Sequence, residues 1–155
     1  MVIADTSVWI EYLKGGDEVA RDALRGLIRT EHVALVGVVL AELLQGCRTP
    51  EESGAILAQV TALRFLESGF SAWRRTGELS ASLRSSGVTL PLSDVLIAAI
   101  ALAHNCQVFT LDPHFEKIPG LSLYRPPKAR ATRRRRAVTV IVRRDREEIT
   151  TRPRS

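Results

Sequence analysis

Ligating sulfur and imidazole are scarce in this chain. Its 155 residues hold only two cysteines, Cys47 and Cys106, and three widely separated histidines, His32, His104 and His114. No cluster of thiolates or imidazoles has metal-ligand spacing, which excludes a zinc centre of that kind. Long apolar runs are lacking as well. The longest, Val95–Ala103, is nine residues, against the roughly 18 needed to span a bilayer. Met1–Ala4 is too short for the apolar core of a signal peptide and has no basic leader. Together these absences predict a cytoplasmic protein with reduced thiols and no membrane partner. There is no internal repeat.

What is present is an ordinary globular composition, 45% hydrophobic and 25% charged, in a length that suits one domain with a substantial core. The net charge of +5 conceals a division at Tyr124-Arg125. Residues 1–125 carry 11 basic and 14 acidic side chains, a net of −3, whereas residues 126–155 carry 11 and 3, a net of +8. The sequence therefore predicts a folded domain at 1–125 and an arginine-rich C-terminal tail at 126–155. The tail opens on Pro126-Pro127, contains Arg133-Arg134-Arg135-Arg136 and has few large apolar groups, so most of it is expected to be disordered alone. Only "AVTVIV" at 137–142 has strand character.

Along the body, "VIA" at 2–4 reads as a strand and Thr6–Lys14 as a helix stopped by Gly15-Gly16. Residues 17–30 place Ala20, Ala23, Leu24, Leu27 and Ile28 on one helical stripe, and "HVALVG" at 32–37 reads as a second strand. A helix is expected over about 38–46. Thr49-Pro50-Glu51-Glu52 combines a capping hydroxyl, proline at the first helical position and glutamate at the third, which predicts a helix start with Ile56, Val60 and Leu63 facing inward. A polar-faced helix follows at 71–86. Ser93 or Asp94 then begins a helix that is apolar on every side through Ala103, with Asn105 suited to its end. "QVFTL" at 107–111 and "LSLY" at 121–124 are expected as later strands. Alternating strands and helices predict an α/β sandwich around a mainly parallel sheet, whose ligands bind beyond the carboxyl ends of the strands.

Asp5 and Asp112 each follow a predicted strand immediately, and Glu42 and Asp94 lie on helices entered from that same edge. Each has a plainer role to set against a functional one. Asp5 and Asp94 suit helix caps, and Asp112 before Pro113 suits a turn. Glu42 is harder to dismiss, because its neighbours in "VGVVLAELLQG" are nearly all apolar and a lone buried carboxylate is costly unless paired or bound to metal. Four converging carboxylates repel one another unless cations offset the charge. Oxygen ligands without histidine or cysteine suit Mg²⁺ or Mn²⁺, and the chemistry that follows is attack of water on a phosphodiester. Thr6, Ser7 and Thr110 stand where they could orient a carboxylate.

In order and spacing, "VIADTSVWIEYLKG", "VVLAELLQG", "LPLSDVLIAAIALAHN" and "VFTLDPHFEKIPGLSLY" resemble the four acidic motifs of PIN-domain ribonucleases, specifically the VapC-type toxins of bacterial toxin–antitoxin pairs. The resemblance covers residues 1–125. It implies a PIN-like α/β/α sandwich, endoribonuclease activity dependent on Mg²⁺ or Mn²⁺, a homodimer and a cognate antitoxin. Residue by residue it makes Asp5, Glu42, Asp94 and Asp112 catalytic, with Asp5, Asp94 and Asp112 as metal ligands and Thr110 as an accompanying hydroxyl. Residues 126–155 have no counterpart in that pattern.

The tail's arginines suit RNA phosphates, or, by folding back, the carboxylates themselves; an extension without a role is as consistent with the sequence. Two other functions compete with the nuclease. A noncatalytic RNA-binding module would tolerate loss of the acids. A phosphorelay receiver needs paired acids at its first strand, where Asp5 stands alone, and a lysine after a late strand, where Lys117 lies too far on. An Asp-x-Asp phosphatase needs an acid where Ser7 stands. Arg48, Arg74 and Arg75 suit either RNA contact or plain solvated faces, and Trp9, Tyr12 and Trp73 suit packing better than base stacking.

Overall fold

A computed structural model describes residues 1–127; Arg133–Arg136 and the 137–142 stretch lie outside the described residues. The chain runs β1 (Val2–Ala4), α1 (Thr6–Lys14), α2 (Glu18–Arg29), β2 (Val33–Val36), α3 (Gly37–Gln45), α4 (Pro50–Val60), β3 (Arg64–Leu66), α5 (Phe70–Ser85), α6 (Leu92–Ala103) and β4 (Gln107–Phe109), then a short 3-10 turn over Pro113–Lys117. The four strands form one sheet in the order β3-β2-β1-β4, and every pairing is parallel.

Every residue of β1 and β2 is buried. Successive side chains on a strand point to opposite faces, so burial at every position requires helices on both faces of the sheet. The architecture is the expected α/β/α sandwich. The core is mostly apolar, with Trp9, Phe109, Phe115, Ile3 and Leu24 its largest fully buried side chains, and Asp5, Thr76 and Thr110 are buried among the described residues as well. Trp9 is core, edge-on to Tyr12 at 5.8 Å, whereas Trp73 is 51% exposed.

Local chemistry explains the boundaries. Gly15 closes α1 at φ +75°, a left-handed conformation that glycine adopts without a Cβ clash. Thr49 caps α4 by accepting from the Glu52 backbone N–H at 3.2 Å, and Pro50 takes the first helical position. Asn105 continues past α6 at φ +50°.

Four departures from the sequence expectation matter for the site. α6 begins at Leu92, with Pro91 as its N-cap and no side-chain cap, so Asp94 lies in the first turn and does not cap. β3 was not expected from the sequence. "QVFTL" is strand only to Phe109, which frees Thr110 and Asp112 to turn inward. "LSLY" adds just one parallel bridge, Leu123 to Val108. No helix of the described residues is long and apolar enough to cross a membrane.

Candidate active site

β1 and β4 are neighbours, and the ladder extends one step past them: the Asp5 backbone N–H donates to the Phe109 carbonyl at 2.9 Å. The first residues beyond each strand, Asp5 and Thr110, therefore meet. Thr110 Oγ1 donates to Asp5 Oδ2 at 2.6 Å and accepts from the Asp112 backbone N–H at 2.9 Å. Ser7 Oγ donates to Asp5 Oδ1 at 2.6 Å and accepts from the Leu111 backbone N–H at 3.1 Å. The Val8 backbone N–H also donates to Asp5 Oδ1, at 3.2 Å. Asp5 is thus the N-cap that its position suggests, but capping requires neither hydroxyl. Both carboxylate oxygens are held by groups from two distant segments, which fixes the orientation of the carboxylate. Burial pushes its pKa up, outweighing the hydrogen bonds from Ser7, Thr110 and the Val8 and Ser7 backbone.

Glu42 projects from α3, the helix that follows β2 directly, and is half-buried. Its Oε2 accepts from Thr6 Oγ1, so the first turn of α1 orients a second acid. Asp94 is also half-buried. Its carboxyl is pushed up to about 6, first by burial, then by the charges of Asp112, Asp5 and Glu42, with His114 opposing. Those three acids come from three other segments of the chain. By hydrogen bonds, Thr110 joins Asp5 to the Asp112 backbone and Thr6, next to Asp5, reaches Glu42, so three of the acids meet at the carboxyl ends of β1 and β4.

Asp112 does form the expected turn, capping the 3-10 segment by accepting from the His114 backbone N–H at 2.8 Å. The imidazole Nδ1 of His114 also lies 3.0 Å from Asp112 Oδ1. His114 is the site residue that sequence reasoning missed; its signal was a histidine two residues past a turn-forming acid, dismissed because no other histidine lay near it in sequence. Arg48, Arg74 and Arg75 are exposed, and Arg74 lies 3.6 Å from Glu78. Among the described residues, no Lys or Arg forms an ion pair with any of the four acids.

Among the described residues, no three His, Cys, Asp or Glu side chains are gathered closely enough as they stand to share one ion. The donor chemistry nonetheless fits a hard divalent cation: carboxylate and hydroxyl oxygens predominate, no sulfur is present and the single imidazole already faces Asp112.

Comparison with known proteins finds a family match over most of the chain. The PIN domain family matches residues 2–121. Ribonuclease VapC10 of Mycobacterium tuberculosis is 32% identical over 138 residues, covering 88% of this chain and all of that protein. A share of that size exceeds residues 1–125, so the likeness runs into the basic tail, contrary to the expectation that the tail has no counterpart. Ribonuclease VapC11 of the same species is 25% identical over 126 residues, 79% of this chain and 94% of its own. Among solved structures, the DNA-bound VapBC of Salmonella typhimurium is similar at TM-score 0.69 and 26% identity, over 79% of this chain and 96% of that one. VapBC2 of Rickettsia felis, bound to a fragment of its promoter, gives TM-score 0.69 at 24% identity over 80% and 98%, a likeness of fold.

Proposed function

The chain belongs to the PIN-domain family, and from that premise we propose that it is a VapC-type ribonuclease, the toxin of a toxin–antitoxin pair, which hydrolyses RNA phosphodiester bonds with Mg²⁺ or Mn²⁺. The observation that carries the proposal is the convergence of Asp5, Glu42, Asp94 and Asp112 on one edge, supported by the ribonuclease relatives and by neighbours solved as toxin–antitoxin assemblies. Asp5, Asp94 and Asp112 would hold the cation. When bound, it supplies the positive charge that activates water and offsets charge developing on the phosphate.

The rest is the work of this chain's own side chains. Asp5 is pinned at both oxygens by Ser7 and Thr110, so it does not have to reorganise when it meets a charge. Glu42 gives one oxygen to Thr6, and its carboxylate is the candidate to accept a proton from attacking water. Asp94 stands in the field of the other three carboxylates, which a bound cation would offset. Thr110 couples the first and fourth acids, because its one hydroxyl touches Asp5 and the backbone of Asp112.

A mixed RNA pool tests the proposal directly. Cleavage is expected with Mn²⁺ or Mg²⁺, none with a chelator, and none with Asp94→Asn, which keeps the size of the side chain and removes its charge. An absence of cleavage and of divalent-ion binding in the parent protein would leave the acids as caps and turns and favour the noncatalytic RNA-binding module.

The expected homodimer has a surface suited to it. Phe65 and Trp73 are exposed and, with Val38, Ala41 and Leu96 beside Glu67 and Ser68, line a depression of about 410 Å³; Phe70, at 85%, and Leu92 are exposed as well. Large grouped apolar residues on a surface mark association. If two copies pack through this face, Trp73→Glu converts a dimer into a monomer by light scattering, while Val19→Glu, on α2, leaves the mass unchanged. A dimer that survives Trp73→Glu assigns the seam elsewhere.

A further inference from the structure

Glu42 belongs to two neighbourhoods. Its carboxylate accepts from Thr6 at the start of α1, and the same residue lines a groove of about 560 Å³ between α1, α3 and α4. The groove leads away from the other acids. Along α1, Ile10 lies about 6 Å and Lys14 about 12 Å beyond Thr6, at ~1.5 Å per residue, and both line it. Leu13, Leu43 and Ile56 give it apolar surface from all three helices. Arg48, in the turn between α3 and α4, lines it as well. That turn is locked, because the Arg48 backbone N–H donates to Glu52 Oε2 at 2.8 Å while the Glu52 N–H donates to Thr49 Oγ1 at 3.2 Å.

Charge narrows what such a groove holds. Lys14 and Arg48 are exposed, and among the described residues neither forms an ion pair. Glu52 also lines the groove, but its carboxylate is engaged by the Arg48 backbone. Apolar walls beside unpaired cations suit a nucleotide: its flat base is covered by apolar side chains once it leaves the stack, and its phosphate pairs with lysine or arginine. An apolar protein helix would cover the same walls but leave both cations unmatched. The groove also begins at Glu42, so a strand cut beside that residue passes directly into it.

We infer that this groove seats the substrate nucleotide flanking the scissile bond, with its base against Leu13, Leu43 and Ile56 and the next phosphate on Arg48 and Lys14. The inference rests on the ribonuclease function proposed above and adds a subsite to it. It gives Arg48 a role that its sequence context leaves open. Recognition of this kind acts on single-stranded RNA, whose bases are free to unstack. Each single-strand phosphate neutralised releases counterions, so affinity falls with salt by about 0.7 in log–log slope per contact.

The test uses the full chain carrying Asp94→Asn, so that a fluorescent single-stranded RNA is bound and not cut. Ala55→Trp fills the groove from an exposed position on α4, and Arg48→Gln removes one charge. Leu57→Trp, exposed on α4 but outside the groove, and Arg29→Gln on α2 are the matched controls. Ala55→Trp is expected to weaken binding on the order of tenfold, the scale of one seated base. Arg48→Gln is expected to flatten the salt slope by about 0.7, one phosphate contact, and the controls to change neither quantity. Unchanged affinity and slope in both variants overturns the subsite and leaves the groove to a protein partner. Equal losses in the controls overturn it too, because the effect then lies outside the groove. In chains that keep Asp94, Ala55→Trp should raise KM and leave kcat unchanged, since none of the four acids is altered. Cleavage with an unchanged KM refutes the subsite alone, whereas groove-dependent binding with no cleavage under any divalent ion upholds the groove as an RNA site and refutes the nuclease alone.

Discussion

Asp5→Asn is expected to lower metal-dependent RNA cleavage by about 10³-fold or more, roughly 4 kcal/mol of transition-state stabilisation, while the protein stays folded. The substitution separates the two roles that Asp5 plays. Asparagine caps a helix about as well as aspartate, so the bond from the Val8 N–H survives. The hydroxyls of Ser7 and Thr110 can each still hydrogen-bond an amide. What is lost is the charge, and with it the capacity to help hold a divalent cation. Asp17→Asn supplies the matched control, because Asp17 caps α2 by accepting from the Val19 and Ala20 backbone at 2.8 and 3.0 Å and takes no part in the site. Cleavage rates and circular dichroism on the two variants decide the matter. Full activity in Asp5→Asn would make Asp5 a cap and nothing more, and would withdraw the first ligand from the proposed cation site.

The acids were legible in the sequence because each follows a strong local signal: a short apolar strand before Asp5 and Asp112, and an apolar helix around Glu42. Helix ends carried by side chains were legible for the same reason, as at Thr49-Pro50. The misses share a different cause. β3 is three residues long, with Arg64 and Phe65 exposed, and it exists because Ala34, Leu35 and Val36 offer it a parallel partner; nothing within Arg64–Leu66 announces that. Ser93 and Asp94 are both good caps and so announce a start for α6 in the sequence, whereas Pro91, with φ already fixed, is the boundary. That small shift has a chemical consequence. It takes the capping role from Asp94 and leaves its carboxyl to the other three acids. His114 is two residues from its partner Asp112, but nothing in the sequence shows that the turn between them opens onto the other acids, which topology brings there.

Asp94→Asn should also stabilise the metal-free protein at neutral pH, and the pH dependence gives the sign. The folded pKa of Asp94 is raised from 3.8 to about 6, so between those values the folded state keeps a proton that the unfolded chain has released. Ionising Asp94 in the folded protein therefore opposes folding. The penalty is absent below about pH 4, grows as pH rises, and is complete above about pH 6 to 7. Solvent screening of a half-buried group reduces it to about 1 kcal/mol, or about 3–5 °C in Tm for a domain of this size. In chelator, the Tm of Asp94→Asn should exceed that of the parent by that margin at pH 7.5, and the two should converge near pH 4. Asp5, whose pKa burial also raises, contributes with the same sign and deepens the parent's own loss of stability as pH rises. Saturating Mn²⁺ should then invert the order at pH 7.5, because a ligand that binds only the folded state stabilises the protein able to hold it. Equal Tm values in chelator at both pH values would mean that neither burial nor the charges of the other three carboxylates raise Asp94 in the folded protein. The cluster would then be four separate acids on one edge, with too little shared field to recruit a cation.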